Sequence, residues 1–202
     1  MNAKTTTKVV GSLAVVGTAA AVAGLGTYGT FTDSTTPVGT TVQTGTVDIN
    51  LAQPTGAFAI PVTTTNFVPG DSLTRAVNLT NNGSSALSSI TLSSGVTTPS
   101  VLTTDVTNGL QLAIKECTVP YTQGGTATAA TYTCSGTERS VFSGPVMQTN
   151  LALSGLASMN PGGADSLVFS VSLPTSADNS FQNQTAALSL TFTGVQRSGT
   201  AR

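Results

Sequence analysis

One pattern occurs twice in this chain and limits its fold more than any other feature. Pro69-Gly70-Asp71-Ser72-Leu73 is echoed by Pro161-Gly162-Gly163-Ala164-Asp165-Ser166-Leu167. In each, proline fixes φ at the first corner of a turn and glycine permits positive φ at the second. Each turn leads into alternation of period two, the signature of a half-buried strand. Leu73, Val77 and Leu79 share one face of the first strand, with Arg75 the odd member, and Leu167, Phe169, Val171 and Leu173 follow the second turn without a break. The echo implies two equivalent sheet positions, one in each half.

The same rhythm runs through the rest of the body. Val47, Ile49 and Leu51 alternate with Asp48 and Asn50, Phe58, Ile60 and Val62 repeat the pattern, and Ala186, Leu188, Leu190 and Phe192 make a last strand. Asn82-Gly83 is a hairpin signal. The parity change from Leu87 to Ile90 and Leu92 predicts a bulge near Ser88-Ser89. Residues 94–109 read as a long loop with one helical turn. A strand then carries Leu110, Leu112 and Ile114 to Cys117, Gly124-Gly125 breaks it, and Ala130–Ser135 returns. Val141–Met147, with Gly144-Pro145, reads as irregular, and Leu151, Leu153 and Leu156 form a short apolar run. Eight or nine short strands, turns between them and no amphipathic helix predict an all-β, two-sheet antiparallel sandwich of jelly-roll type.

Composition agrees. There are 38 Thr, whose branched Cβ suits a pleated surface. Apolar residues reach 39%, enough to argue against disorder. Only 7% of residues are charged and the net charge is −1, so no basic patch offers itself to a nucleic acid. The chain has no His, which removes the commonest metal ligand and the commonest general base. Its two cysteines, Cys117 and Cys134, read as one disulfide in a secreted chain; the alternative is a pair of buried free thiols.

The N-terminus has the layout of a secretory signal peptide. Lys4 and Lys8 precede an apolar run, Val9 to Leu25, and small residues follow. Cleavage after Gly29 places Thr27 and Gly29 at the −3 and −1 positions and makes Thr30 the new N-terminus. In the uncut precursor the segment should be a helix in the membrane. The competing reading is a retained membrane helix, but no charged stop-transfer cluster follows the run. Residues 30–41 then form a Thr-rich arm with Phe31, Pro37 and Val38, able to extend over roughly 40 Å. The organisation expected is a signal peptide at 1–29, the arm at 30–41, a sandwich at 42–196 and a polar tail at 197–202.

Three stretches together resemble the camelysin/TasA family of secreted Gram-positive matrix proteins. The first is Gly26-Thr-Tyr-Gly-Thr-Phe-Thr-Asp-Ser34 with Gly45-Thr-Val-Asp-Ile-Asn-Leu51. The second is Val68-Pro-Gly-Asp-Ser-Leu-Thr-Arg-Ala-Val-Asn-Leu-Thr-Asn-Asn-Gly-Ser84. The third is Asn179-Ser-Phe-Gln-Asn-Gln-Thr185 leading into Leu188-Ser-Leu-Thr-Phe-Thr-Gly-Val-Gln196. Residues 94–160, which hold the cysteines, lie outside the resemblance, and the cysteine pair points to an actinobacterial relative. The resemblance implies a jelly roll, cut by a dedicated signal peptidase, that assembles into extracellular biofilm fibres. In those fibres the freed N-terminal strand of one subunit completes the sheet of the next, which makes Thr30–Thr41 the donor strand, with Phe31 and Val38 as plugs. The expected partners are another copy of the chain, head to tail, and the signal peptidase; the expected location is the extracellular matrix or cell surface, with the membrane involved only before cleavage.

Camelysin is described as a metallopeptidase, so the resemblance also implies an enzyme. A zinc peptidase typically uses two His and a carboxylate. Here the acids Glu116, Glu138, Asp105 and Asp165 are scattered, and no serine has a base to activate it. The sequence therefore predicts a structural protein with no catalytic residues, no metal and no cofactor. A monomeric surface adhesion module is the third alternative.

Overall fold

The computed structural model describes residues 45–58 and 67–199. The strands are β1 (Ile49–Ala52), β2 (Ser72–Asn81), β3 (Leu87–Val96), β4 (Gln111–Cys117), β5 (Thr122–Gly125), β6 (Ala130–Thr133), β7 (Glu138–Pro145), β8 (Leu151–Leu153), β9 (Ala164–Ser172) and β10 (Leu188–Gln196). One helical turn, α1 (Val101–Thr104), and two 3-10 turns, Ala157–Met159 and Asn179–Phe181, complete them. The expected signal helix, the cleavage residues Thr27, Gly29 and Thr30, the arm residues Phe31 and Val38, and the strand expected through Ile60 and Val62 lie outside the described residues.

Two antiparallel sheets make a β-sandwich. The larger has the order β1-β2-β9-β4-β7 and the smaller β10-β3-β8. Their facing side chains form one aliphatic core: Val77, Leu79, Leu112, Ile114 and Leu167 from the larger sheet, and Ile90, Leu92 and Leu153 from the smaller. A separate hairpin, β5-β6, is joined to the end of β4 by the Cys117–Cys134 disulfide.

The two echoed turns seed neighbouring strands, not matching places in separate halves. β2 and β9 pair with each other antiparallel at the middle of the larger sheet, Ser72 opposite Ser172 and Thr80 opposite Ala164. The turns therefore stand at opposite ends of the pair. In the first, Asp71 N–H donates to Val68 O at 2.9 Å; in the second, Gly163 N–H donates to Asn160 O at 2.9 Å. Gly70 has φ +97° and Gly162 φ +72°, the values the second corner requires. Each turn also grips the far end of the other strand. Gly70 N–H donates to Leu173 O at 2.8 Å and Leu173 N–H donates to Asp71 O at 3.0 Å; at the other pole Gly162 N–H donates to Asn81 O at 2.8 Å and Asn81 N–H to Gly163 O at 3.0 Å.

The expected bulge is present: Ser89 opposes Val195 and Leu87 opposes Gln196, leaving Ser88 without a partner residue. Its hydroxyl donates to the carbonyls of both Val195 and Gln196. Three expectations need correction. The region expected to be irregular, Val141–Met147, is mostly strand, because β7 pairs with β4 from Glu138 to Pro145. Val141 is an extra residue in that pairing, which sets Val141 and Phe142 side by side and erases the alternation. Pro145 is tolerated because β7 is an edge strand, and the Phe142 ring covers Gly144. Gly124 and Gly125 do not break a strand; they belong to β5. The loop expected at 94–109 is shorter, since β3 runs to Val96, and it holds the expected helical turn as α1.

Candidate functional site

The acids expected to be scattered fall into two groups. Glu116 on β4 lies opposite Arg139 on β7, with which it is ion-paired, and opposite Leu167 on β9, two residues along from Asp165. Asp165 is 2% exposed. Its carboxylate accepts Ala157 N–H on Oδ1 at 2.6 Å and Ser158 N–H on Oδ2 at 2.9 Å, tying down the start of a 3-10 turn. Burial, and the Asp165 carboxylate beside it, hold the Glu116 carboxyl above its usual range against the opposing pull of Arg139. On the neighbouring face Lys115 Nζ pairs with Glu138 Oε2 at 2.7 Å, and this lowers the Glu138 carboxyl. Tyr121 donates to Glu138 Oε1 at 3.1 Å, and burial together with that carboxylate pushes the phenol up. Asp105 lies apart, held low by the backbone N–H groups of Asn108 and Thr107.

This donor set does not suit a peptidase metal. There is no imidazole in the chain, and no three His, Cys, Asp or Glu side chains come together among the described residues. The two carboxylates that do meet, Glu116 and Asp165, are committed to Arg139 and to two backbone amides. A divalent cation would have to displace a guanidinium and strip a buried turn of its anchor.

The disulfide forms between Cys117 and Cys134, with Cα atoms 5.7 Å apart. It closes a loop around the β5-β6 hairpin, which is also fastened at other points. Arg75, 2% exposed, donates from Nη2 to Ala127 O at 2.6 Å and from Nη1 to Thr74 O. Among its partners, then, are carbonyls that accept from the guanidinium, and such hydrogen bonding is what lets the odd member of β2 be buried. Gln123 accepts Phe58 N–H and donates to Gly56 O, holding the segment after β1.

The sandwich is closed unevenly. β1 flanks the larger sheet and β10 the smaller, and the two meet where the Ile49 side chain reaches over Gly194. Beyond that contact the seam opens. Leu51 sits opposite Leu79, so its side chain is on the core face, yet it is 41% exposed. Leu188, Leu190 and Phe192 pack against the core from β10 but are only half-buried. At the pole where β10 begins, a groove of about 390 Å³ is lined by residues that include Phe67, Val68, Leu173, Asn179, Phe181 and Asn183. Two of the three stretches quoted for the family resemblance, separated by a hundred residues in sequence, thus line one groove. Sequence reasoning missed it, because it exists only once the Pro69-Gly70 turn is hooked onto Leu173.

The chain enters the described fold at the other pole. Thr46 N–H donates to Ser84 Oγ, Ser85 N–H donates to Thr46 O, and Asp48 O accepts Asn82 N–H at 2.8 Å. Gly45 is thereby fixed against the turn between β2 and β3.

The family model described as camelysin metallo-endopeptidase matches residues 4–119, just over half of the chain. The match takes in the first two quoted stretches and stops two residues after Cys117. No curated protein matches the sequence.

Proposed function

The chain belongs to the camelysin metallo-endopeptidase family, and on that footing we propose that it is a secreted structural subunit of extracellular matrix fibres. In this reading residues 1–29 direct export and are removed by a signal peptidase after Gly29. The freed arm, Thr30–Thr41, then adds a strand to another copy, with Phe31 and Val38 as its apolar plugs. The observation that carries the reading is the open seam. Among the described residues, core-facing Leu51 is left 41% exposed and Leu188, Leu190 and Phe192 are half-buried, a seam that a further strand would cover. An exposed edge is a template for another strand. The test compares two chains by negative-stain microscopy, one beginning at Thr30 and one lacking residues 30–41. Filaments from the first and a folded, soluble monomer from the second are expected; filaments from both would end the donor role.

A second reading, a camelysin-like peptidase, is favoured by the family's description alone. The geometry speaks against it, since the clustered carboxylates hold amides and a guanidinium. Peptide cleavage by the purified chain that is abolished by a chelator would restore it.

A further inference from the structure

We propose that the groove beside the Pro69-Gly70 turn is a carbohydrate site that takes a neutral pyranose ring of an uncharged polysaccharide. A single copy of the chain holds this site whole, so it does not depend on how copies join. The groove encloses about 390 Å³, within the roughly 300–1,000 Å³ of small-molecule sites. Its apolar part is built from the core outward. Phe181 is 7% exposed, Leu173 and Ala177 are buried, and Phe67 is half-buried against the same core. Phe67 and Phe181 lie far apart in sequence, and only the fold brings both to one groove.

The polar part consists of neutral amides and one carboxylate. Asn179, Gln182 and Asn183 are exposed and line the groove together with Asp178. Gln182 Nε2 donates to Asn179 Oδ1 at 3.0 Å. That pairing leaves the Gln182 carbonyl as an acceptor and the Asn179 amide nitrogen as a donor for a bound molecule. A sugar hydroxyl both donates and accepts, so it answers either group, while the C–H face of a pyranose suits the apolar floor. A wholly apolar ligand would strip water from these amides and return no hydrogen bond. An anionic ligand meets the wrong charge. Among the described residues no Lys or Arg lines the groove. Asp178 is kept ionised there: Ser180, donating its hydroxyl at 2.6 Å and its N–H at 2.8 Å, holds the carboxyl below its usual range.

Both walls are braced before anything binds. On one side Val68 N–H donates to Asp71 Oδ2 at 2.9 Å, and Gly70 N–H hooks the turn onto Leu173 O at 2.8 Å. On the other, Phe181 N–H donates to Asp178 O and Gln182 N–H to Asn179 O, both at 3.2 Å, closing the 3-10 turn. Ser176 Oγ donates to Asn108 Oδ1 at 2.8 Å and ties this wall to the loop after α1. Side chains carried on a braced backbone lose less freedom on binding, which favours even a small ligand.

Titration calorimetry on the purified chain tests the site. The probes are cellohexaose and maltohexaose for plain hexose polymers, N-acetylchitohexaose for an N-acetylated amino-sugar polymer, and polygalacturonate as the anionic control. Saturable binding of at least one neutral oligomer, and none of polygalacturonate, is expected; the oligomer preferred tells the two kinds of polymer apart. Phe67→Leu keeps apolar volume and takes away the ring, and Asn179→Ala/Gln182→Ala removes two exposed amides without touching the core. Each variant, its folding checked by circular dichroism, should bind more weakly by roughly threefold to tenfold. Should Phe67→Leu fail to fold, the double variant decides alone. A folded parent chain that binds none of the neutral oligomers, polygalacturonate bound as tightly as they are, or an affinity unchanged in either folded variant would overturn the assignment.

Discussion

Removing the Cys117–Cys134 bridge should cost global stability without altering the native contacts of the hairpin it encloses. The bridged residues are 17 apart in sequence. Closing a loop of that size restricts the unfolded chain by about 3 kcal/mol. The native hairpin has its own fastenings: the Arg75 guanidinium on Ala127 O, Tyr121 N–H on Ser166 Oγ, and Gln123 between Gly56 and Phe58. These survive the double variant Cys117→Ala/Cys134→Ser, so the loss falls on the unfolded state. Alanine is chosen at 117 because that position is buried and a hydroxyl there would add a cost of its own. For a domain of this size a loss of about 3 kcal/mol lowers the melting midpoint by roughly 6–12 °C. Urea unfolding followed by circular dichroism gives the free energy directly, and thermal melts give the midpoint. A loss below about 1 kcal/mol would refute the reasoning. It would mean that the hairpin opens independently of the sandwich and that the bridge constrains only a local element.

Gly70→Ala and Gly162→Ala should each cost about 1–2 kcal/mol, because both glycines sit at left-handed φ. The turns are at opposite ends of the β2–β9 pair, so the losses should add in the double variant; chemical unfolding that shows no loss for either would contradict the type of turn assigned. Glu116 should give stability an acid-favouring slope. Its carboxyl is raised by burial and Asp165, so its contribution is fully present below the ordinary value of 4.5 and is lost as pH rises through the raised value. Glu138 acts with the opposite sign: held low by Lys115, it contributes above its ordinary range and loses that contribution as pH falls through the lowered value. Urea midpoints of Glu116→Gln should therefore lack the gain on acidification that the parent chain shows between neutral pH and 4.5; identical pH profiles would discount the Glu116–Asp165 contact.

Local rules carried much of the fold. The turn at Pro69-Gly70 and its echo at Pro161-Gly162 were legible because both obey one backbone requirement, and the bulge at Ser88 because it shifts the parity of Leu87 against Ile90. β7 was illegible for the same kind of reason in reverse: the extra residue Val141 places two apolar side chains in succession, and Gly144-Pro145 imitates a turn. That the two echoed strands pair with each other could not be read, since antiparallel neighbours and matching strands of separate halves share one sequence pattern. The burial of Arg75 was equally hidden. Nothing in β2 announces that carbonyls of Thr74 and Ala127 will receive its guanidinium. Among the described residues the seam lies between unequal sheets, five strands facing three, and no single stretch encodes that difference.

Sedimentation velocity of the chain beginning at Thr30, across a wide range of protein concentration, tests most directly whether the sandwich is finished by a neighbour. Species that lengthen with concentration into filaments visible in the microscope are the predicted result. A single monomeric boundary at every concentration, with Leu51 and β10 unchanged in their exposure, would contradict it.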